Sequence, residues 1–103
     1  MTNMKKQRNG KYLLENNGVQ DVFKFDEDVA QFLTRNASKI RYHSGEKVKN
    51  WLYKNRTGKE TSLAKKVYVD FKRYNSIDRI MGKVAFHNGD NRDLRRENLT
   101  VLR

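Results

Sequence analysis

His87 is followed closely by Asp90, Asp93 and Glu97. A histidine among carboxylates is the equipment of metal-assisted hydrolysis. Carboxylates hold a divalent cation, and an imidazole takes a proton from water near neutral pH. The spacing favours plainer roles. Asp90 completes an Asn-Gly turn, Asp93 stands where it caps a helical turn, and Glu97 has arginines beside it to pair with. His43 lies in a basic strand, where it serves structure or an accessory phosphate contact. The sequence has no Cys, which excludes thiolate metal sites and disulfides and makes a reducing compartment the simplest setting. It shows no Gly-rich phosphate loop and no Ser-His-Asp arrangement. No metal or cofactor is expected.

A second constellation points to binding. The stretch KVKNWLYKNRTGKE interleaves Lys47, Lys49, Lys54, Arg56 and Lys59 with Trp51 and Tyr53. Cations contact phosphates, and exposed aromatics stack on bases or pack against sugars. Lys65, Lys66, Lys72 and Arg73 extend the patch along the segment that follows, and Arg95 and Arg96 add to it. Trp51 is counted with this set, although an aromatic on a strand is more often a core residue. The net charge of +11 suits a polyanionic partner, with an anionic membrane surface or a ribosome-like assembly as competitors. The charge is uneven: residues 15–34 carry five acids and one Lys, and residues 35–73 carry twelve basic groups and three acids. The acidic segment is expected to face away from the basic centre. No apolar run is long enough to span a membrane, and the first ten residues lack the apolar stretch of a signal peptide. A cytoplasmic protein is expected.

The elements that must position these residues are short. Residues 1–10 read as a flexible arm, and 11–103 as a single domain. KYLLE and VQDVFKF flank Asn16-Asn17-Gly18, the strongest short hairpin signal. Asp26 is placed to cap a helix whose apolar stripe is Val29, Phe32 and Leu33. KIRYHS and KVKNWLYKN read as strands, with Trp51 and Tyr53 on one face and Val48 and Leu52 on the other. The turn RTGKET leads into a short strand. Residues 62–74 read as a second helix with Ser62 as N-cap and Leu63, Val67 and Phe71 at four-residue spacing. A strand ending in an Asn-Gly turn, a helical turn and a last strand complete the chain. The sum is an α+β domain of short antiparallel strands and two helices.

Residues 84–99 carry a resemblance. Val84, Asn88, Gly89, Asp90, Asp93, Arg95, Asn98 and Leu99 match, in register, the motif V-D-H-x-N-G-D-x-x-D-N-R-x-x-N-L. Gly58, Lys59, Leu63, Val67 and Phe71 match the segment that often precedes it. The chain thus resembles the phage HNH homing endonucleases of the ββα-metal superfamily, from about residue 10 to 102. In that family the Asp of D-H holds a divalent metal and the His is the general base. Here those positions are Ala85 and Phe86, which neither bind metal nor move protons. The His of the L-H-R-L segment is Ala64, and the Asn of D-N-R is Leu94. The family's last metal ligand stands in a further helix, and this chain stops at Arg103. His87 sits one residue after the general-base position, and in a strand one residue reverses the face.

The resemblance therefore implies a degenerate, incomplete HNH motif and a phage or mobile-element protein that is not an enzyme. It is expected to bind DNA through its basic surface as a regulator or accessory factor. The alternative is an anti-defence protein that docks on a host nucleoprotein complex, such as a CRISPR nuclease, and clamps its guide RNA. A residual metal nuclease is the third reading.

Overall fold

The computed structural model describes residues 2–46, 49–72 and 83–102. Asn17 and Gly18 both take positive φ (50° and 87°), the tight turn that matches the twist of a two-residue hairpin. That turn joins β2 (Tyr12–Asn16) to β3 (Val19–Phe23). In β2, Tyr12, Leu14 and Asn16 point inward while Leu13 and Glu15 are half exposed, the two-residue alternation of a strand with one buried face.

Residues 2–6 correct the expectation of a flexible arm. Thr2–Lys6 form β1, paired antiparallel with β2 along its whole length. Thr2 is 4% exposed. Its hydroxyl donates to the Ile40 carbonyl and accepts from Asn16 Nδ2 at 2.8 Å. Asn16 Oδ1 in turn accepts from Tyr42 N at 3.2 Å, so these polar groups join the first sheet to the second.

The second sheet contains β4 (Ile40–Ser44), β5 (Lys49–Lys54) and β6 (Glu60–Ser62), in that order and antiparallel. Ile40, Trp51 and Tyr53 face the core. Arg41, His43, Leu52, Lys54 and Glu60 share the opposite face through their registers. A two-stranded pair, β7 (Lys83–Phe86) with β8 (Leu99–Leu102), is the third sheet.

Helix α1 (Glu27–Arg35) buries Val29, Ala30 and Leu33. At nine residues it is too short to persist alone and depends on that packing. Phe32 is only partly buried, against Tyr53 and Phe71. Asp26 holds the N-cap position, but its carboxylate does not cap α1; it accepts from Arg96 N at 2.9 Å. The second helix begins as expected: Ser62 Oγ accepts from Lys65 N at 3.1 Å, and Leu63 and Val67 are buried. α2 is α-helical only over Leu63–Val67 and widens into a π-helical turn over Tyr68–Lys72. The predicted continuation to residue 74 falls partly outside the described residues.

Among the described residues the domain is α+β, with eight short strands in three antiparallel sheets and two helices. All of these elements except β6 contribute residues to one core. The loop between β7 and β8 is stitched to the end of β3 by main-chain bonds. Lys24 N donates to Arg92 O, and Leu94 N donates to Lys24 O, both at 2.9 Å. This stitch brings residues 91–94 beside the second sheet and the start of α2.

Candidate nucleic-acid interface

Between β5, the first turn of α2, β7 and the loop after β7 lies an open groove of about 490 Å³. Among the described residues four cations line it, each set by a different element. Lys49 opens β5, and Lys83 opens β7. Lys65 sits in the first turn of α2, where the Ser62 cap fixes its backbone. Arg92 comes from the stitched loop; its guanidinium lies 5.1 Å over the Phe23 ring and 3.3 Å from Asp21. Lys49, Lys65 and Lys83 form no ion pair among the described residues. Among the described residues, no carboxylate lines the groove. Its potential is therefore positive, and low-dielectric walls concentrate that field on a bound anion.

The residues expected to bind nucleic acid divide into three groups. Lys47 and Arg73 lie outside the described residues. Lys49 and Lys65 are in the groove, while Lys54, Arg56 and Lys59 are exposed at the far end of β5 and in the turn after it. The remaining five are committed internally, which corrects the sequence reading. Trp51 is 1% exposed and packs edge-on against Phe23 and Tyr42. Its Nε1 donates to Asp21 at 2.6 Å, so its ring is not available to stack on a base. Lys66 pairs with Asp70 at 2.6 Å and lies 4.5 Å from the centre of the Tyr53 ring. Lys72 Nζ donates to the carbonyls of Arg96 and Leu99 at 2.8 and 2.5 Å. Arg96 donates from its main-chain N–H to Asp26 and from its guanidinium to Asp28 at 2.7 Å. Arg95 grips Asp93.

The acidic segment explains much of this. It was expected to face away, yet Asp21, Asp26 and Asp28 all turn to the loop at 92–96. Their carboxylates neutralise Arg96 and share Arg92. Sequence reasoning also missed Lys83 and Arg92 as groove cations, because residues 74–103 carry little net charge. The tip of the β1–β2 hairpin, with Lys5, Lys6, Arg8 and Lys11, is a further basic patch that only the pairing of β1 makes recognisable.

The groups that suggested hydrolysis are separately occupied. Asp93 is fully buried, and its carboxylate accepts from Arg95 Nε at 2.8 Å, Arg95 Nη2 at 2.7 Å and Asn88 Nδ2 at 3.0 Å. The Arg95 fork holds that carboxyl below the usual carboxylate range. Asp93 does not cap the helical turn at Arg96–Asn98 as expected; Asp26 bonds the turn's first N–H. Asp90 does complete the turn, accepting from Arg92 N at 2.9 Å, and Glu97 does pair with Arg95, at 3.3 Å. Asn98 spans the loop, donating to Asp93 O and accepting from Asn88 N. His87 is exposed, and its side chain forms no hydrogen bond among the described residues. Among those residues, no three of His, Cys, Asp and Glu gather as a metal site.

Ala64, Phe86 and Leu94 all line the groove. They come from α2, β7 and the loop, yet they line the same groove as Lys49, Lys65, Lys83 and Arg92. No family model, curated protein or solved structure matches the chain.

Proposed function

We propose that this chain is a non-catalytic nucleic-acid-binding protein that grips backbone phosphates with the cationic groove. In this reading the domain is built on the frame that HNH endonucleases use for cutting. One observation carries it. The three groove positions at which the sequence departs from the HNH pattern, Ala64, Phe86 and Leu94, converge with Lys49, Lys65, Lys83 and Arg92. Groups able to bind a metal or take a proton are replaced by apolar side chains, while the cations around them remain. Such a site attracts phosphate and cannot activate water. No helix among the described residues is long and apolar enough to cross a bilayer.

Fluorescence anisotropy with labelled oligonucleotides at several salt concentrations tests the proposal. Three or four phosphate contacts give a log–log salt slope of about −2 to −4. Replacing Lys49, Lys65 and Lys83 together by Glu should weaken binding about ten-fold or more and flatten the slope. The control replaces Lys5, Arg8 and Lys11 by Glu, which changes net charge equally away from the groove. Absence of binding to any free oligonucleotide, or equal losses in the two variants, would overturn the proposal. So would Mg²⁺-dependent nicking that disappears in His87→Ala.

A further inference from the structure

We infer that the groove takes an unpaired nucleotide, so that the protein selects single-stranded nucleic acid over duplex. The inference rests on the nucleic-acid-binding reading and adds which form of nucleic acid is chosen. A surface that only met duplex phosphates would need cations and no apolar surface between them. This groove is concave and two-natured. Its rim is Lys49, Lys65, Lys83 and Arg92, and the half-buried Ala64, Val84 and Phe86 expose apolar surface between them. Apolar surface gains from a partner with an apolar face, and the π-face of an unpaired base is the part of a nucleic acid that offers one. In a duplex those faces are already stacked and the bases are enclosed by the backbone.

The size agrees. About 490 Å³ lies in the range of pockets that enclose small organic ligands, which suits one nucleotide and not a double helix. The polar groups agree as well. Asn50 Oδ1 accepts from Trp51 N at 2.8 Å, and its amide NH₂ has no partner among the described residues. The Asn91 side chain is likewise unbonded among them. Both line the groove, where an amide suits the edge of a base. Arg92, held over the Phe23 ring, adds a guanidinium beside the same space. Rim ammoniums then meet the flanking phosphates while Phe86 contacts the base.

Competition of unlabelled oligo-dT and oligo-rU of about 12 nucleotides, against duplexes of equal length at matched salt, tests this. At least one of the single strands is expected to bind about ten-fold more tightly than its duplex. Phe86→Leu keeps apolar bulk in the core but removes the ring. It should cost single-strand affinity about five-fold or more, the size of one lost stacking contact, and leave duplex affinity within about two-fold. A circular dichroism melt checks that the variant remains folded, and Asn50→Ala, checked in the same way because it also removes the acceptor of Trp51 N, gives a second variant. Duplex binding equal to or tighter than both single strands overturns the inference and leaves the nucleic-acid-binding reading intact. So does an unchanged single-strand affinity in both variants. Failure of every oligonucleotide to bind overturns the reading beneath it.

Discussion

Replacing Asp93 by Asn isolates the charge at the centre of the β7–β8 loop. The substitution keeps the shape of the side chain and removes its ionisation. In the native protein a fully buried carboxylate accepts two guanidinium N–H groups from Arg95 and one amide N–H from Asn88. An Asn can keep one acceptor oxygen, but its NH₂ opposes an Arg95 donor and the two-pronged bond is lost. Hydrogen bonds to charged groups contribute about 1.5–3 kcal/mol each. The Arg95 side chain is 37% exposed and regains water when released, so the pair is discounted to about 2–3 kcal/mol in total. In a domain of this size that lowers Tm by about 10–20 °C. Urea unfolding at a series of pH values provides the assay. Asp93 has a folded-state pKa held below its unfolded value of about 3.8, chiefly by the Arg95 hydrogen bonds. Its contribution is therefore complete above the unfolded pKa and is lost as pH falls through the lower, folded one. The difference between parent and Asp93→Asn should be constant from neutral pH to about pH 5 and narrow below about pH 4. A variant within about 0.5 kcal/mol of the parent at pH 7, or a gap that stays constant down to pH 3, refutes the clamp.

Lys72→Met keeps the apolar stem and removes the Nζ donor to the carbonyls of Arg96 and Leu99, of which Arg96 O keeps the Leu99 N–H. It should cost about 1–2 kcal/mol in urea unfolding and leave oligonucleotide affinity within about two-fold, because Lys72 is a strut and not a phosphate contact. Trp51→Phe deletes the Nε1 bond to Asp21 while keeping an aromatic in the core. A loss of about 1–2 kcal/mol, followed by far-ultraviolet circular dichroism because no other Trp remains, is the expected result.

The local features of the fold were legible in the sequence because their causes are local. Asn17-Gly18 demands positive φ, Ser62 offers a cap three residues before Lys65, and Leu63 and Val67 mark one helical face. β1 was not legible. Its residues are polar or charged except Met4, and what orders it is backbone pairing with β2 plus a Thr2 hydroxyl that reaches Ile40. Within the candidate site, counting charge along the chain found Lys49 and Lys65 but could not find Lys83 and Arg92. Nor could it show that Asp21 lies beside Arg92, 71 residues away in sequence. The same blindness placed Trp51 with the binding set, since the Asp21 that satisfies its indole is 30 residues distant.

The stitch between Lys24 and the loop also dictates an order of assembly. The β2–β3 and β4–β5 pairs join residues close in sequence and can form as soon as those residues exist. The loop's ties to Asp21, Asp26 and Asp28 close over about 70 residues. Loop closure on that scale carries about 2.5 kcal/mol more chain-entropy cost than a four-residue turn. The groove needs that loop in place. During synthesis it is therefore completed late, only after residues 92–99 have left the ribosome.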